Sequence, residues 1–182
     1  HRFQPHLLHG ITGSGKTLVY ICAVRHAQKR NKGSLILVPE ISLTPQTVRQ
    51  FKAHFADSVA VLHSALSDGE RFDAWRDVKE GRRNIVIGAR SAIFAPVRDL
   101  GLIVVDEEHD SSYKQADPAP RYNARDVALV RAKMNAIPVI LGSATPSLES
   151  FHNVKKKKYE LLSLPDRVDS RFSAALDIAV AF

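Results

Sequence analysis

The stretch Gly10-Ile11-Thr12-Gly13-Ser14-Gly15-Lys16-Thr17 constrains this chain more than any other part of it. Its glycines let the backbone curl so that successive amides point inward, a concavity that suits phosphate oxygens. An apolar run, Leu7-Leu8-His9, precedes the loop, and a helix-forming segment follows it. A strand that feeds a tight loop and then a helix is half of a βαβ unit, so the chain must build a parallel sheet with helical crossovers. The positive end of the following helix adds to the anion site. Lys16 can reach the outer phosphates, and the Thr17 hydroxyl suits Mg²⁺. An incidental glycine-rich turn is the plainer alternative, and the flanking strand and helix weigh against it.

The rest of the chain repeats the alternation. Further strands are expected at Leu35-Ile36-Leu37-Val38, Val59-Ala60-Val61-Leu62, Ile85-Val86-Ile87, Leu102-Ile103-Val104-Val105 and Val139-Ile140-Leu141. These runs are continuously apolar, as strands covered on both faces by helices should be. Ser67-Asp68-Gly69-Glu70 reads as a capping box, followed by a stripe of Phe72, Trp75 and Val78. Thr44 with Pro45 reads as an N-cap and first turn, with Val48, Phe51 and Phe55 along one face. Asn123 is expected to cap a helix whose inner face holds Val127, Val130 and Met134. The fold class is therefore α/β, with one domain over residues 1–164 and a looser tail over 165–182 that reads as a linker or the stub of a further domain.

Composition narrows the function classes. The formal charge of +7, from 26 Lys and Arg against 19 Asp and Glu, favours a polyanionic partner such as nucleic acid. A single cysteine, Cys22, excludes an intramolecular disulfide and a cysteine-built zinc site; it is expected as a buried packing residue, in keeping with a reducing cytoplasm. No apolar run approaches the ~20 residues that span a bilayer, so no membrane partner is expected. The opening residues lack a signal-peptide core and a starting methionine, which reads as a piece of something longer.

A second element adds chemistry to binding. The run Leu102-Ile103-Val104-Val105 ends in Asp106-Glu107-Glu108-His109. A carboxylate at the C-terminal end of a buried parallel strand projects into the crevice where α/β proteins bind ligands. Asp106 would hold the Mg²⁺ shell, and Glu107 would polarise an attacking water. A third element, Gly142-Ser143-Ala144-Thr145-Pro146, follows the run at 139–141. The Ser143 and Thr145 hydroxyls could sense the carboxylates and relay their state to a DNA-contacting surface. Taken alone, the segment is also an ordinary strand exit with an N-cap and a proline at the helix start.

Together these segments carry a resemblance. Residues 10–17, Val-Pro-Glu-Ile-Ser-Leu-Thr-Pro-Gln at 38–46, Leu-His-Ser at 62–64 and Ile-Gly-Ala-Arg-Ser-Ala-Ile-Phe-Ala-Pro at 87–96 run in order. They continue with Asp-Glu-Glu-His-Asp-Ser-Ser-Tyr-Lys-Gln at 106–115, Arg-Tyr-Asn-Ala-Arg-Asp at 121–126 and Gly-Ser-Ala-Thr-Pro-Ser at 142–147. The set resembles superfamily 2 helicases, most closely the PriA-type replication-restart helicases, over about residues 5–168. The phosphate loop is generic to nucleotidases; the stretch at 106–115 is the discriminating one.

The resemblance implies a RecA-like P-loop lobe of a 3′-to-5′ DNA helicase that uses ATP and Mg²⁺ at Gly10, Thr12, Gly13, Ser14, Gly15, Lys16 and Thr17. His109, Ser143 and Thr145 would couple that site to DNA. Pro39, Glu40, Thr44, Gln46, Gly88, Arg90 and Ser91 would lie on the surface facing single-stranded DNA. Residues 111–122 resemble the family's aromatic-rich coupling loop: Tyr113 and Tyr122 offer stacking faces, and Lys114, Arg121 and Arg125 offer charge to the nucleic-acid backbone. Asp117-Pro118-Ala119-Pro120 departs from the family pattern, which often carries a large aromatic there. A solvated loop tied down by prolines is the alternative reading. Implied partners are forked and single-stranded DNA, a second RecA-like lobe that supplies an arginine finger, and primosome proteins held by regions outside this chain. Alternatives are another duplex-DNA translocase, RecG-like or restriction-type, and a module that binds ATP or DNA without turnover. The 182 residues alone are expected to turn over ATP very slowly. Lys155 to Lys158 read as a solvated helix end, Trp75 as core, and His63 as packing at a strand end.

Overall fold

The computed structural model describes residues 3–167, and the sequence expectations for residues 168–182 lie outside them. In chain order the elements are β1 (Gln4–Gly10), α1 (Lys16–Lys29), β2 (Gly33–Leu37), α2 (Pro45–Phe55), β3 (Val59–Leu62), α3 (Asp68–Glu80), β4 (Ile85–Gly88) and β5 (Leu100–Val105). The short strands β6 (Lys114–Gln115) and β7 (Tyr122–Asn123) follow, then α4 (Ala124–Met134), β8 (Pro138–Ser143), α5 (Leu148–Lys155) and β9 (Glu160–Leu164).

The main sheet has the order β3-β4-β2-β5-β8-β1-β9, and all its pairs are parallel. The inner strands bury both faces. Leu7, Leu35, Leu37, Ile103, Val105 and Leu141 pack with Val78 of α3 and the alanines of α4. Leu8, Ile36, Val104 and Ile140 pack on the other side with Val19, Val24, Phe51 and Phe55 of α1 and α2. This two-sided covering is why the strands read as unbroken apolar runs. At the C-terminal edge, β8 lies between β5 and β1, so the loops leaving these neighbouring strands meet.

Local signals behave as their chemistry requires. Ser67 and Glu70 form the reciprocal capping box of α3, and the Thr44 hydroxyl accepts from the Thr47 amide at the start of α2. Asn123 caps α4 by accepting from the Arg125 amide. The six expected strands are present, most of them longer by one to three residues than the apolar runs alone.

Several expectations need correction. The strand β9 was not foreseen: its exterior pairs only with β1, so Glu160 and Ser163 sit at exposed positions and break the apolar signal. Phe72 is 65% exposed and Trp75 37%, whereas Val78 is fully buried. Residues three apart advance about 300° around a helix, so the 72–75–78 stripe drifts off the contact face. Phe72 instead takes the Arg76 guanidinium over its ring at 5.6 Å. On α4 the inner face is Ala124, Ala128 and Ala132, while Val130 and Met134 point outward, Met134 at 81% exposure. The four-residue alanine spacing lets the helix lie close to the sheet, and Arg131 reaches the carbonyls of Ile93 and Ala95 beside it. Cys22 is half-buried rather than buried. The N-cap of α5 is Ser147, beyond the proline, rather than a residue ahead of it. Among the described residues, no helix is long and apolar enough to cross a membrane.

Candidate nucleotide site and nucleic-acid face

The phosphate loop takes the shape its glycines permit. Gly13 and Gly15 have φ of +82° and +92°, which a side chain would resist, and Gly15 is the N-cap of α1. The loop is pinned by the Ser14 amide to the Ile11 carbonyl at 3.0 Å. Thr12 and Gly13 are exposed at its crest, Thr17 is half-buried, and Lys16 is buried at the first turn of α1. The ammonium of Lys16 donates to the Gly10 carbonyl at 2.8 Å and lies 3.7 Å from Glu107 Oε1.

Asp106 and Glu107 stand where β5 ends, across β8 from the loop. The Asp106 amide bonds the Leu37 carbonyl at 2.8 Å, continuing the strand pairing by one residue. Its Oδ1 accepts from the hydroxyl of Tyr20, one turn into α1, at 2.8 Å. Burial raises the Asp106 carboxyl above its ordinary range, and the Tyr20 hydrogen bond and Lys16 oppose that shift. Burial and the same carboxylate keep the Tyr20 hydroxyl protonated, well above its usual pKa. Tyr20 lies against Gly142: a Cβ there would come 1.6 Å from its hydroxyl oxygen. Tyr113 donates to the Asp106 carbonyl at 2.6 Å. Glu107 adopts a left-handed φ of 44°, which turns the chain sharply and leaves its carboxylate at the mouth.

The three residues expected to couple the site to DNA lie together. His109 Nδ1 lies 2.8 Å from Ser143 Oγ, and its Nε2 lies 3.3 Å from Thr145 Oγ1. The Thr145 amide donates to the same Ser143 oxygen at 2.9 Å, and Glu107 Oε2 is 3.7 Å from His109 Nδ1. The strand exit after β8 is thereby tied to the carboxylate turn after β5.

The expected nucleic-acid face divides. Glu40, Thr44, Gln46, Ser91 and Arg121 are exposed on loops and helix starts, and Lys114 is exposed on β6. Glu40 accepts from the Ser64 hydroxyl. Pro39 is buried, and Gly88 is buried inside the sheet. Tyr113 is 1% exposed and offers no stacking face: its ring fills the core beneath the carboxylate turn. Tyr122 is half-buried with its ring edge-on to Phe94 at 5.1 Å. Arg90 donates to the carbonyls of Ser112 and Lys114 and so braces the 111–115 segment. Arg125 is turned inward, onto Glu108 and Asp126, rather than toward solvent. Gln115 donates to the carbonyls of Pro118 and Pro120 and closes the proline loop between β6 and β7.

The sequence reading missed three positioning residues. Tyr20 carries no motif signal beyond its place four residues after Lys16. Glu108 and Ser150 look like surface polar residues until the fold buries them.

Residues 4–154 match the family described as DEAD/DEAH box helicase. The chain belongs to that family. Membership makes this a nucleotide-using, ATP-type lobe from a class of nucleic-acid-binding proteins, and it accounts for the meeting of the phosphate loop, the Asp106 turn and the Ser143 exit. The chain is also similar to "Replication restart protein PriA" of Bacillus subtilis, 54% identical over 91% of this chain and 20% of the relative. The same protein of Chlamydia trachomatis is 55% identical over 93% of this chain and 22% of the relative. The chain thus spans about a fifth of the length of these relatives. Among solved structures, RecG bound to a three-way DNA junction superposes with a TM-score of 0.62 at 24% identity, covering 91% of this chain and 21% of that one. The Hef helicase domain of Pyrococcus furiosus superposes with a TM-score of 0.57 at 23% identity, over 88% of this chain and 35% of that one. These likenesses establish the α/β helicase-lobe fold, RecA-like with a parallel sheet covered on both faces.

Proposed function

We propose that this chain is the ATP-binding motor lobe of a 3′-to-5′ DNA helicase that acts in replication restart, coupling ATP hydrolysis to strand separation. The observation that carries the proposal is the meeting of Lys16 with Glu107, 3.7 Å apart, beside an Asp106 carboxylate held by Tyr20. The 54% identity to a replication restart protein supports the biological setting.

In this reading the backbone amides of residues 12–17 cradle the phosphates, and Lys16 exchanges its Gly10 contact for the outer phosphates. The donor set fits a hydrated Mg²⁺: an enclosed carboxylate whose charge burial disfavours, and a half-buried Thr17 hydroxyl at the first turn of α1. Asp106 and Thr17 would hold that ion, which when bound neutralises charge on the phosphates. Glu107, at the mouth of the site, orients and deprotonates the attacking water. Glu40, Thr44, Gln46, Ser91, Lys114 and Arg121 face DNA, with Tyr122 and Arg90 bracing the surface behind them. A second RecA-like lobe supplies the arginine finger, and primosome proteins bind regions outside this chain. We read residues 1–164 as this lobe and residues 165–182 as a linker or the stub of a further domain.

The test is strand separation by the full-length protein carrying these residues, on forked DNA with labelled 3′ or 5′ arms. ATP-dependent unwinding from the 3′ arm, lost in Lys16→Ala, is expected. Unwinding that Lys16→Ala leaves intact, or tracking along duplex without separation, would refute the proposal.

A further inference from the structure

The acidic turn after β5 holds a carboxylate that none of the proposed steps uses. The side chain of Glu108 is fully buried, between two residues that face the nucleotide site, Glu107 and His109. A buried carboxylate is costly unless donors surround it, and this one has four. Glu108 Oε2 accepts from Arg125 Nη1 at 3.1 Å, Ser147 Oγ at 3.1 Å and Ser150 Oγ at 3.0 Å. Its Oε1 accepts from the Ser147 amide at 2.7 Å. The Glu108 amide also donates to the Gly142 carbonyl at 3.0 Å.

The donors come from two separate directions. Ser147 and Ser150 belong to the N-terminal turn of α5, directly after the Ser143–Thr145 exit. Arg125 sits in the first turn of α4, and its amide is capped by Asn123, the last residue of the β6–β7 hairpin. Arg125 Nη1 also reaches Ser147 Oγ at 3.1 Å, so one guanidinium ties both elements to one carboxylate. The exposed end of the hairpin, with Lys114 and Arg121, is part of the face proposed for DNA. Glu108 is thus the point where the hairpin, the Ser143–Thr145 exit and the Glu107 turn are mechanically joined.

We infer that Glu108 and Arg125 are positioning residues that transmit the placement of the β6–β7 hairpin to Glu107 and His109, so that nucleic acid on the hairpin and nucleotide in the loop strengthen one another. This rests on the proposed function. Neither residue belongs to the phosphate loop or to the Asp106–Glu107 pair, and both side chains are largely buried. Their pair joins two elements that would otherwise move independently, and the left-handed Glu107 backbone makes the turn sensitive to its anchor.

Coupling between two sites is reciprocal and can be read at equilibrium without turnover. The affinity of a fluorescent oligothymidylate for the full-length protein carrying this chain is measured with and without a non-hydrolysable ATP analogue and Mg²⁺. Wild type is expected to show a ratio of about fivefold or more, the usual scale of allosteric coupling. Glu108→Gln and the gentler Arg125→Lys, which keeps a cation beside Glu108, are expected to bring the ratio to within about twofold of unity. The affinity for the analogue alone should stay within about threefold of wild type. Variants that weaken both ligands but keep the wild-type ratio would show a merely structural role and overturn the inference. So would a wild type with no ratio to lose. A wild type that binds no ATP analogue would overturn the proposed function instead.

Discussion

Gly142 and Tyr20 form a pair whose energetics can be worked out from the structure. A methyl group at Gly142 would lie 1.6 Å from the Tyr20 hydroxyl oxygen and 2.8 Å from its ring carbon Cζ. Both residues are buried at the seam between α1 and the sheet, so the ring must swing away. That movement breaks its 2.8 Å hydrogen bond to Asp106. Losing a hydrogen bond to a carboxylate costs about 1.5–3 kcal/mol. Overpacking a filled core adds about 1–3 kcal/mol. Gly142→Ala should therefore destabilise by about 2.5–6 kcal/mol, or roughly 10 °C in Tm for a chain of this size. Tyr20→Phe removes the same hydrogen bond but leaves the ring packed, and should cost about 1.5–3 kcal/mol. In the double variant the closest clash is gone and the lost hydrogen bond is counted once. Its cost should fall short of the sum of the singles by about 1.5–3 kcal/mol. Urea and thermal unfolding of the four proteins, followed by far-UV circular dichroism, measures this directly. Additivity within about 0.5 kcal/mol would refute the claim that Gly142 is required by the Tyr20 hydroxyl.

Two further predictions concern charge and capping. The folded Asp106 carboxyl titrates above its unfolded value of 3.8, because burial disfavours its anion. Its contribution to stability is therefore full below that value and is lost as pH rises through the raised pKa. Asp106→Asn keeps an acceptor for Tyr20 without the charge. It should be more stable than wild type at pH 7.5, with the gap closing toward pH 4; a destabilised variant at pH 7.5 would contradict this. Ser67→Ala removes the acceptor of the capping box at α3 and should lower stability by about 1 kcal/mol, checked by thermal unfolding; Tm unchanged within a degree would show that the box contributes nothing.

Much of the fold was readable because its signals are local. Strands buried on both faces read as unbroken apolar runs, and the N-caps at Thr44, Ser67 and Asn123 sit next to the helices they start. The failures share one cause, that contact faces are decided by distant packing. The alanines of α4 outcompeted Val130 and Met134 for the sheet because small side chains permit closer approach. Trp75 and Phe72 lay off the contact face once α3 settled on Val78. Tyr113 looked like a stacking platform because a tyrosine beside basic residues has that composition; only the fold shows its ring under Asp106. The phosphate loop and the Asp106-Glu107 pair were legible because their chemistry is carried by neighbours in sequence. Glu108 was not, since its partners lie 17 to 42 residues away.

In the proposed function, Glu107 activates water for ATP hydrolysis in a site held together by Lys16 and Asp106. The most direct test compares ATP turnover by the full-length protein carrying this chain, with single-stranded DNA present, for wild type and Glu107→Gln. Nucleotide affinity is measured alongside. A fall in kcat of about 100-fold or more is expected, on the scale of general-base catalysis, with nucleotide affinity retained. Turnover by Glu107→Gln within a few-fold of wild type would contradict it.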